Sequence, residues 1–176
     1  PRGAQVRGGQ RTRRGHQRVA WLGGGSSPLT RAERVGGYCS TRLKYGLPFH
    51  GEWVVECPAS QKQAADAITA LLRQNPTISA VLCDNSVIAM GAWLGLVRSG
   101  KQSGEDGVES YFEQQVTLAA FADKPEQELD DLPLTWVATP AREIGEGIGE
   151  QILMRIAQEA NSIRHQVIPP RLIIRK

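Results

Sequence analysis

The sequence has few cysteines and none of the spacings that bind metals. Cys39, Cys57 and Cys83 are odd in number and widely separated, and none belongs to a Cys-x-x-Cys or Cys/His pair. We therefore expect reduced thiols, no metal site and no cofactor. The longest apolar run, 88–97, has about half of the ~20 residues that a membrane span needs. No signal peptide is visible, which predicts a cytoplasmic protein without membrane contact.

Motifs for catalysis and for nucleotide binding are also missing. The glycine-rich turn 23–27 follows an apolar strand, but it lacks the lysine and the spacing of a phosphate-binding loop. His16, His50 and His165 have no Ser, Cys or Asp at motif spacing, so nothing supports a nucleophilic triad. We predict that the chain is not an enzyme and has no catalytic residues.

Acidic residues are absent from the first 18 positions, which hold six of the 21 basic residues. The rest of the chain is therefore mildly acidic. Residues 1–14 have almost no apolar content, which predicts a disordered arginine-rich tail. Two interpretations stay open: an arm that binds nucleic acid through phosphate contacts, or an end unrelated to the folded domain. We favour the second, since the sequence does not start with Met.

Three segments repeat one design, in which an apolar run leads into a small polar turn. The runs are 18–22, 78–83 and 116–121, and helix starts follow the first two turns. The chain has 176 residues, of which 40% are hydrophobic, which suffices for one domain with a core. The repetition predicts an α/β fold: an open, mostly parallel sheet with helices on both faces.

Capping residues and helical periodicity place the helices. The first is predicted to begin at the capping box Thr30–Glu33 and to run to about Tyr45, where Gly46 ends it. The side chains that this helix should bury are Val35, Tyr38, Cys39 and Leu43. Further helices are predicted over 61–73, 86–99 (closed by Gly100) and 141–159. The remaining strands are predicted at 53–57, 134–137, 167–168 and 172–174.

The repeated design brings polar side chains to one rim. In open parallel sheets, ligands lie outside the carboxyl ends of the strands, where Arg34, Asn85 and Asp123 are expected. The guanidinium fork of Arg34 suits vicinal hydroxyls or a carboxylate, and Asn85 offers a donor and an acceptor. The alternative is structural: Arg34 forms a surface ion pair and Asn85 caps the next helix.

Five ordered motifs run from about residue 15 to residue 175. Residues 15–24 resemble G-H-x-x-I-A-x-[IL]-x-G with Val19 at the isoleucine position, and 34–38 match R-x-x-G-[FY]. Residues 85–92 match N-D-x-x-A-x-G-A except at the second position, 132–135 resemble P-P-L-T with Leu132 in place of the first proline, and 168–175 contain P-x-x-L-x-x-R. Together these motifs resemble those of the LacI/GalR family. The sequences of segments 29–39 and 111–115 are particularly similar to one member of that family. The resemblance implies the second lobe of a type I periplasmic-binding-protein-like effector domain.

The resemblance also implies a division of the chain. Residues 1–14 would be the tail, 15–137 the C-terminal lobe, 138–160 a helix that crosses to the other lobe, and 161–176 the final strand region. The DNA-binding part and most of the first lobe have no counterpart in this sequence. Operator DNA would therefore be bound only through that missing part.

The function implied is the effector-binding and dimerisation part of a transcriptional repressor of carbohydrate metabolism. A sugar or related effector would bind between the lobes and change operator affinity by linkage. Arg34 and Asn85 would contact it. The usual ligand aspartate aligns with Ala122, and Asp123 with its neighbour. Since Ser86 replaces a second acid, we expect an altered effector or weak binding of a plain monosaccharide.

Family members dimerise through the second lobe, which implies a homodimer interface containing Val87, Met90 and Leu94. The predicted helix 86–99 is apolar nearly all round, in agreement with this, although the chain's own loops could cover it instead. Two rival functions stay open. One is a periplasmic sugar-binding protein of an uptake system, and the other is a small flavodoxin-like enzyme.

Overall fold

Strands and helices alternate along most of the chain. The computed structural model describes residues 16–102, 116–122, 134–157 and 165–173. The strands are β1 (Val19–Gly23), β2 (Val54–Glu56), β3 (Ala80–Cys83), β4 (Thr117–Ala122), β5 (Thr135–Ala138) and β6 (Arg171–Ile173). The α-helices are α1 (Pro28–Lys44), α2 (Gln61–Gln74), α3 (Ser86–Gln102) and α4 (Ala141–Ile156). The predicted tail 1–14 lies outside the described residues.

The strands form one sheet in the order β2-β1-β3-β4-β5-β6. Neighbours from β2 to β5 are parallel, and β6 is antiparallel to β5. The predicted mostly parallel sheet is therefore confirmed. Every residue of β1 and β3 is buried, which explains why these strands are continuous apolar runs in the sequence. The register aligns Leu22 with Cys83 and Cys83 with Ala120, so the carboxyl ends of the three strands share one rim.

Helices cover both faces of the sheet, as predicted. Side chains from α2 and α3, such as Ile68 and Ile88, pack with Leu22 and Val81 on one face. On the other face, Tyr38 of α1 packs with the alternate residues of the same strands. The buried strand residues on this second face are Val19, Trp21, Ala80, Leu82, Ala119, Phe121 and Val137.

Helix α1 begins earlier than the capping box predicted. Ser27 is its N-cap and accepts a hydrogen bond from the Thr30 N–H at 3.3 Å. Pro28 occupies the first turn, where its fixed φ favours the helix and its missing N–H costs nothing. The predicted start at Thr30 was therefore about one turn late, whereas the predicted end beside Gly46 (φ +60°) is confirmed.

The buried face of α1 contains an arginine that the apolar pattern did not predict. Leu43, predicted to be buried, is 82% exposed, whereas Arg42 is 2% exposed. The Arg42 guanidinium donates to the Val19 carbonyl and to the Tyr38 hydroxyl. It also lies 5.2 Å from the Trp53 ring centroid, so cation–π contact offsets part of its desolvation.

Helix α3 lies against α2 at two glycines and continues past a third. A Cβ on Gly91 would lie 2.3 Å from the Gln61 carbonyl oxygen, and one on Gly95 would lie 2.7 Å from that of Ala65. The glycines therefore allow backbone contact between the helices. The helix runs on to Gln102, so the prediction that Gly100 closes it was wrong. A glycine weakens a helix by only about 1 kcal/mol relative to alanine.

None of the residues of helix α4 is buried. Its predicted i, i+4 isoleucines are largely uncovered, with Ile148 56%, Ile152 52% and Ile156 74% exposed. The prediction that this helix packs on another lobe stays a prediction. No helix in the described ranges combines the length and apolarity needed to span a membrane.

Replacing Gly91 by alanine should destabilise the domain. The new methyl group would meet the Gln61 backbone, and such overpacking costs about 1–3 kcal/mol. Gly36 of α1 is a matched control, because nothing lies within 4 Å of its added Cβ. Gly36→Ala should raise the free energy of unfolding by about 0.5–1 kcal/mol. Urea unfolding measures both changes, and equal gains in the two variants would contradict the close helix contact.

Candidate functional site: a ligand-binding rim

The candidate site lies at the carboxyl ends of β1, β3 and β4. The turn after β1 leads into α1, which carries Arg34 one turn and a half from its start. The turn after β3 contains Asp84 and Asn85 and leads into α3. Strand β4 contributes Phe121 and ends at Ala122, which is fully buried. Asp123, the third predicted contact, lies outside the described residues.

Arg34 joins the three strand ends. Its Nη1 donates to the Asp84 backbone carbonyl at 2.7 Å and to Asp84 Oδ1 at 3.1 Å. The guanidinium carbon lies 4.5 Å from the centroid of the Phe121 ring. The side chain is 15% exposed, so the pair with Asp84 is well shielded from water. The structural alternative proposed a surface ion pair, whereas the partner here is a buried acid.

Asp84 is the residue that the sequence-based prediction of the site missed. Its side chain is fully buried, and its second carboxylate oxygen accepts a hydrogen bond from the Ser26 hydroxyl. Both oxygens are therefore bonded, as a buried carboxylate requires. One signal was available in the sequence: an acid directly follows the continuously apolar strand β3. Its partner, Arg34, lies 50 residues away in the sequence.

Asn85 connects two of the turns. Its Nδ2 donates to the Gly24 carbonyl at 2.7 Å, and its Oδ1 accepts from the Ile88 N–H at 3.0 Å. The second contact is an N-cap bond to the third residue of α3, as the structural alternative predicted. One Nδ2 hydrogen has no partner among the described residues. Capping therefore orients the amide and still leaves a donor that a ligand can use.

The glycines of the first turn are required by packing. A Cβ on Gly24 would lie 1.7 Å from the Cys57 carbonyl oxygen. Gly25 has φ +81°, and a Cβ there would lie 2.4 Å from the Ala59 Cβ. The turn after β1 thus lies directly against the turn after β2. This close contact accounts for the glycine-rich sequence without a bound phosphate.

An aromatic cluster supports the guanidinium from below. The Trp21 ring lies between Phe121 and Tyr38, with centroid distances of 6.3 Å and 6.1 Å. The Tyr38 hydroxyl donates to the Val19 carbonyl at 2.7 Å, which fixes α1 to β1 one turn after Arg34. The arginine is therefore held by a rigid surface rather than by a loop alone.

Neither metal binding nor thiol chemistry finds support at this rim. The described residues contain no group of three His, Cys, Asp or Glu side chains arranged to hold a metal ion. Burial raises the pKa of the Cys39 and Cys57 thiols, which keeps them protonated and unreactive near neutral pH. The three cysteines are free thiols, as expected.

The raised pKa of the buried Tyr38 hydroxyl predicts that the folded domain loses stability at high pH. Burial raises its pKa from 10.0 to about 12, although Arg42 offsets part of the shift. The neutral phenol is favoured in the folded state, so its contribution is complete below pH 10. Stability should then fall by about 2–3 kcal/mol as the pH rises from about 10 to about 12. Urea unfolding of the wild type and Tyr38→Phe across this range checks it, and equally steep declines would contradict the assignment.

The chain is similar in sequence to a known protein family and to curated transcriptional regulators. Residues 4–176 match the family described as periplasmic binding proteins and sugar binding domain of LacI family. The maltose regulon regulatory protein MalI of Escherichia coli K12 is 63% identical over 164 residues, which cover 93% of this chain and 48% of that protein. The repressor PurR of Aliivibrio fischeri is 29% identical over 92% of this chain and 46% of that protein. The chain thus spans about half the length of these curated relatives.

Solved structures confirm the fold. The Escherichia coli transcriptional repressor ascG superposes with a TM-score of 0.78 at 21% identity, covering 99% of this chain and 60% of that one. The regulator CelR in complex with cellobiose gives a TM-score of 0.74 at 22% identity, covering 98% of this chain and 50% of that one. At this identity the likeness establishes the periplasmic-binding-protein-like architecture.

Proposed function

Because the chain belongs to the LacI family, we propose that it forms the effector-binding and dimerisation part of a transcriptional repressor of carbohydrate metabolism. The observation that carries the proposal is the meeting of Arg34 and Asn85 at one rim, where both contact the turns that follow β1 and β3. Operator DNA would be bound by a part of the protein beyond this chain. The 63% identity to a maltose regulon regulatory protein supports a role in carbohydrate metabolism.

The effector that we propose is a sugar or a related polyhydroxylated molecule. Arg34 presents a fork of donors, and Asn85 adds an amide donor held by its capping bond. The effector would bind Arg34 and Asn85 beside the carboxyl end of β4, where Ala122 and Asp123 follow each other in the sequence, and would close the second lobe against another lobe. A difference in effector affinity between the closed and open arrangements would then change operator affinity.

The rival functions receive less support. The curated relatives MalI and PurR are transcriptional regulators rather than enzymes or uptake proteins. We therefore propose a cytoplasmic regulator without a cofactor. The periplasmic uptake protein is not favoured.

Arg34→Lys should weaken effector binding although it keeps the charge. Lysine lacks the planar fork that bonds vicinal hydroxyls, so we expect a loss of about tenfold, or about 1.4 kcal/mol. Calorimetry of the intact protein against a panel of neutral mono- and disaccharides provides the measurement. Arg31→Lys is the matched control, because Arg31 lies three residues earlier on α1 and pairs with the exposed Glu56.

The same titration tests the expected change of effector. With Ala122 and Ser86 in place of acids, a plain hexose should bind more weakly than micromolar, either because the effector is a different molecule or because sugar binding is weak. Micromolar binding of D-glucose would contradict the altered effector. An unchanged affinity in Arg34→Lys would contradict the proposed site.

The dimer interface is proposed on the outward face of α3. Met90 and Leu94 are half-buried, and Val87 is 41% exposed. These residues form an apolar row on the side opposite the sheet, which a second copy of the chain could bury. Such a row on a helix that already packs against α2 and the sheet favours a subunit contact.

Val87→Glu should dissociate the proposed dimer. In a symmetric dimer the new carboxylate would lie opposite the same carboxylate of the second subunit, and the two charges would repel each other. We expect the dimer affinity to fall by several-fold to hundred-fold, or about 1–3 kcal/mol. Leu43→Glu is the control, because Leu43 is 82% exposed on α1, away from this face. Sedimentation equilibrium measures both variants. A monomeric wild type at high concentration, or dissociation by both variants, would contradict the interface.

A further inference from the structure

Each described arginine at the ligand rim is paired with a carboxylate. Arg34 pairs with Asp84, and Arg31, one turn earlier on α1, pairs with Glu56 at the end of β2. The two pairs differ in exposure: the side chains of Arg31 and Glu56 are 41% and 55% exposed, whereas those of Arg34 and Asp84 are 15% and 0% exposed. The cation best placed to contact an effector is therefore neutralised by a fixed, buried anion.

We propose that Asp84 acts as a positioning residue that restricts this site to uncharged effectors and excludes phosphorylated or carboxylated ones. The inference rests on the proposed function, since it concerns the effector site of that regulator. Asp84 would not contact the effector, because its side chain is fully buried. It acts through Arg34, whose charge it balances and whose Nη1 it holds.

The exclusion follows from charge and rigidity. A phosphate bound to Arg34 would lie within a few ångströms of the Asp84 carboxylate, and two anions at such a distance repel strongly in a shielded site. The carboxylate cannot turn away, because one oxygen is bonded to Arg34 and the other to Ser26. A neutral hydroxyl group meets no such repulsion and accepts a hydrogen bond from the same guanidinium.

The turn after β1 does not offer an alternative anion site. Its glycines resemble a phosphate cradle in sequence, yet Gly24 lies against the Cys57 carbonyl. That carbonyl presents negative rather than positive potential to the turn. The Gly24 carbonyl in turn accepts the Asn85 amide. Among the described residues of these turns, the anion selectivity that we propose depends on Arg34 and Asp84.

Asp84→Asn tests the proposal with inorganic phosphate and glucose 6-phosphate as probes. The change removes the buried negative charge that Nη1 of Arg34 contacts and that would repel a bound anion, so the variant should bind phosphate about tenfold or more tightly than the wild type. Glu56→Gln is the matched control: it removes an acid from the same rim, but at the exposed pair, and should not gain phosphate binding. Arg34→Gln combined with Asp84→Asn should abolish the gain. Calorimetry and ³¹P NMR of the intact protein measure each affinity.

The outcomes separate this inference from the proposed function. A gain in phosphate affinity specific to Asp84→Asn supports the charge rule even if no sugar binds the wild type, a result that would refute only the proposed function. Sugar binding with no such gain in a folded variant overturns the charge rule alone. If circular dichroism shows that Asp84→Asn is unfolded, phosphate and glucose 6-phosphate binding by the wild type tests the proposal instead. Phosphate or glucose 6-phosphate binding that Arg34→Gln abolishes would overturn the proposal, and the absence of such binding would support it.

Discussion

The buried ion pair between Arg34 and Asp84 is the contact on which the rest of the rim depends. Removing a carboxylate from water costs several kcal/mol unless its oxygens are bonded. Here the guanidinium bonds both the carboxylate and the backbone carbonyl of the same residue, and Ser26 bonds the remaining oxygen. The pair therefore fixes α1 to the end of β3. Replacing Arg34 by a neutral residue would leave the buried Asp84 carboxylate without the cation that it contacts.

The sheet makes this pair possible by placing distant segments side by side. Parallel pairing of β1 with β3, and of β3 with β4, brings the turns after these strands to a single edge. Gly91 and Gly95 let α3 lie directly against α2, and Asn85 caps α3 while it donates to the Gly24 carbonyl. Arg34 lies above the Phe121 ring at this edge. Site geometry is thus a consequence of strand order and helix packing.

Sequence patterns predicted the elements well where local chemistry decides, and poorly where distant contacts decide. Buried parallel strands are continuous apolar runs, so β1, β3 and β4 could be predicted. The strand predicted at 167–168 was wrong, since the last strand is Arg171–Ile173. Arg42 could not be predicted as buried, because its partners, the Val19 carbonyl and the Trp53 ring, come from other elements. By contrast, the positions of Arg34 and Asn85 after two strands were enough to predict that both lie at the rim. The Arg34 partner, Asp84, becomes evident only when the strands are paired.

Asp84 and the acid that the family resemblance implies at position 122 would not be equivalent. A carboxylate at the end of β4 could reach a ligand, and the sequence has Ala122 there. Asp84 supplies the negative charge from beneath the guanidinium, where its side chain has no exposed surface. The arginine therefore keeps its orientation and its charge balance, whereas the proposed effector would lack one acceptor for its hydroxyl hydrogens. If the proposed effector site is correct, it would bind neutral, hydroxylated molecules but select among them differently, since hydroxyl groups that need an acceptor at this point would not be favoured.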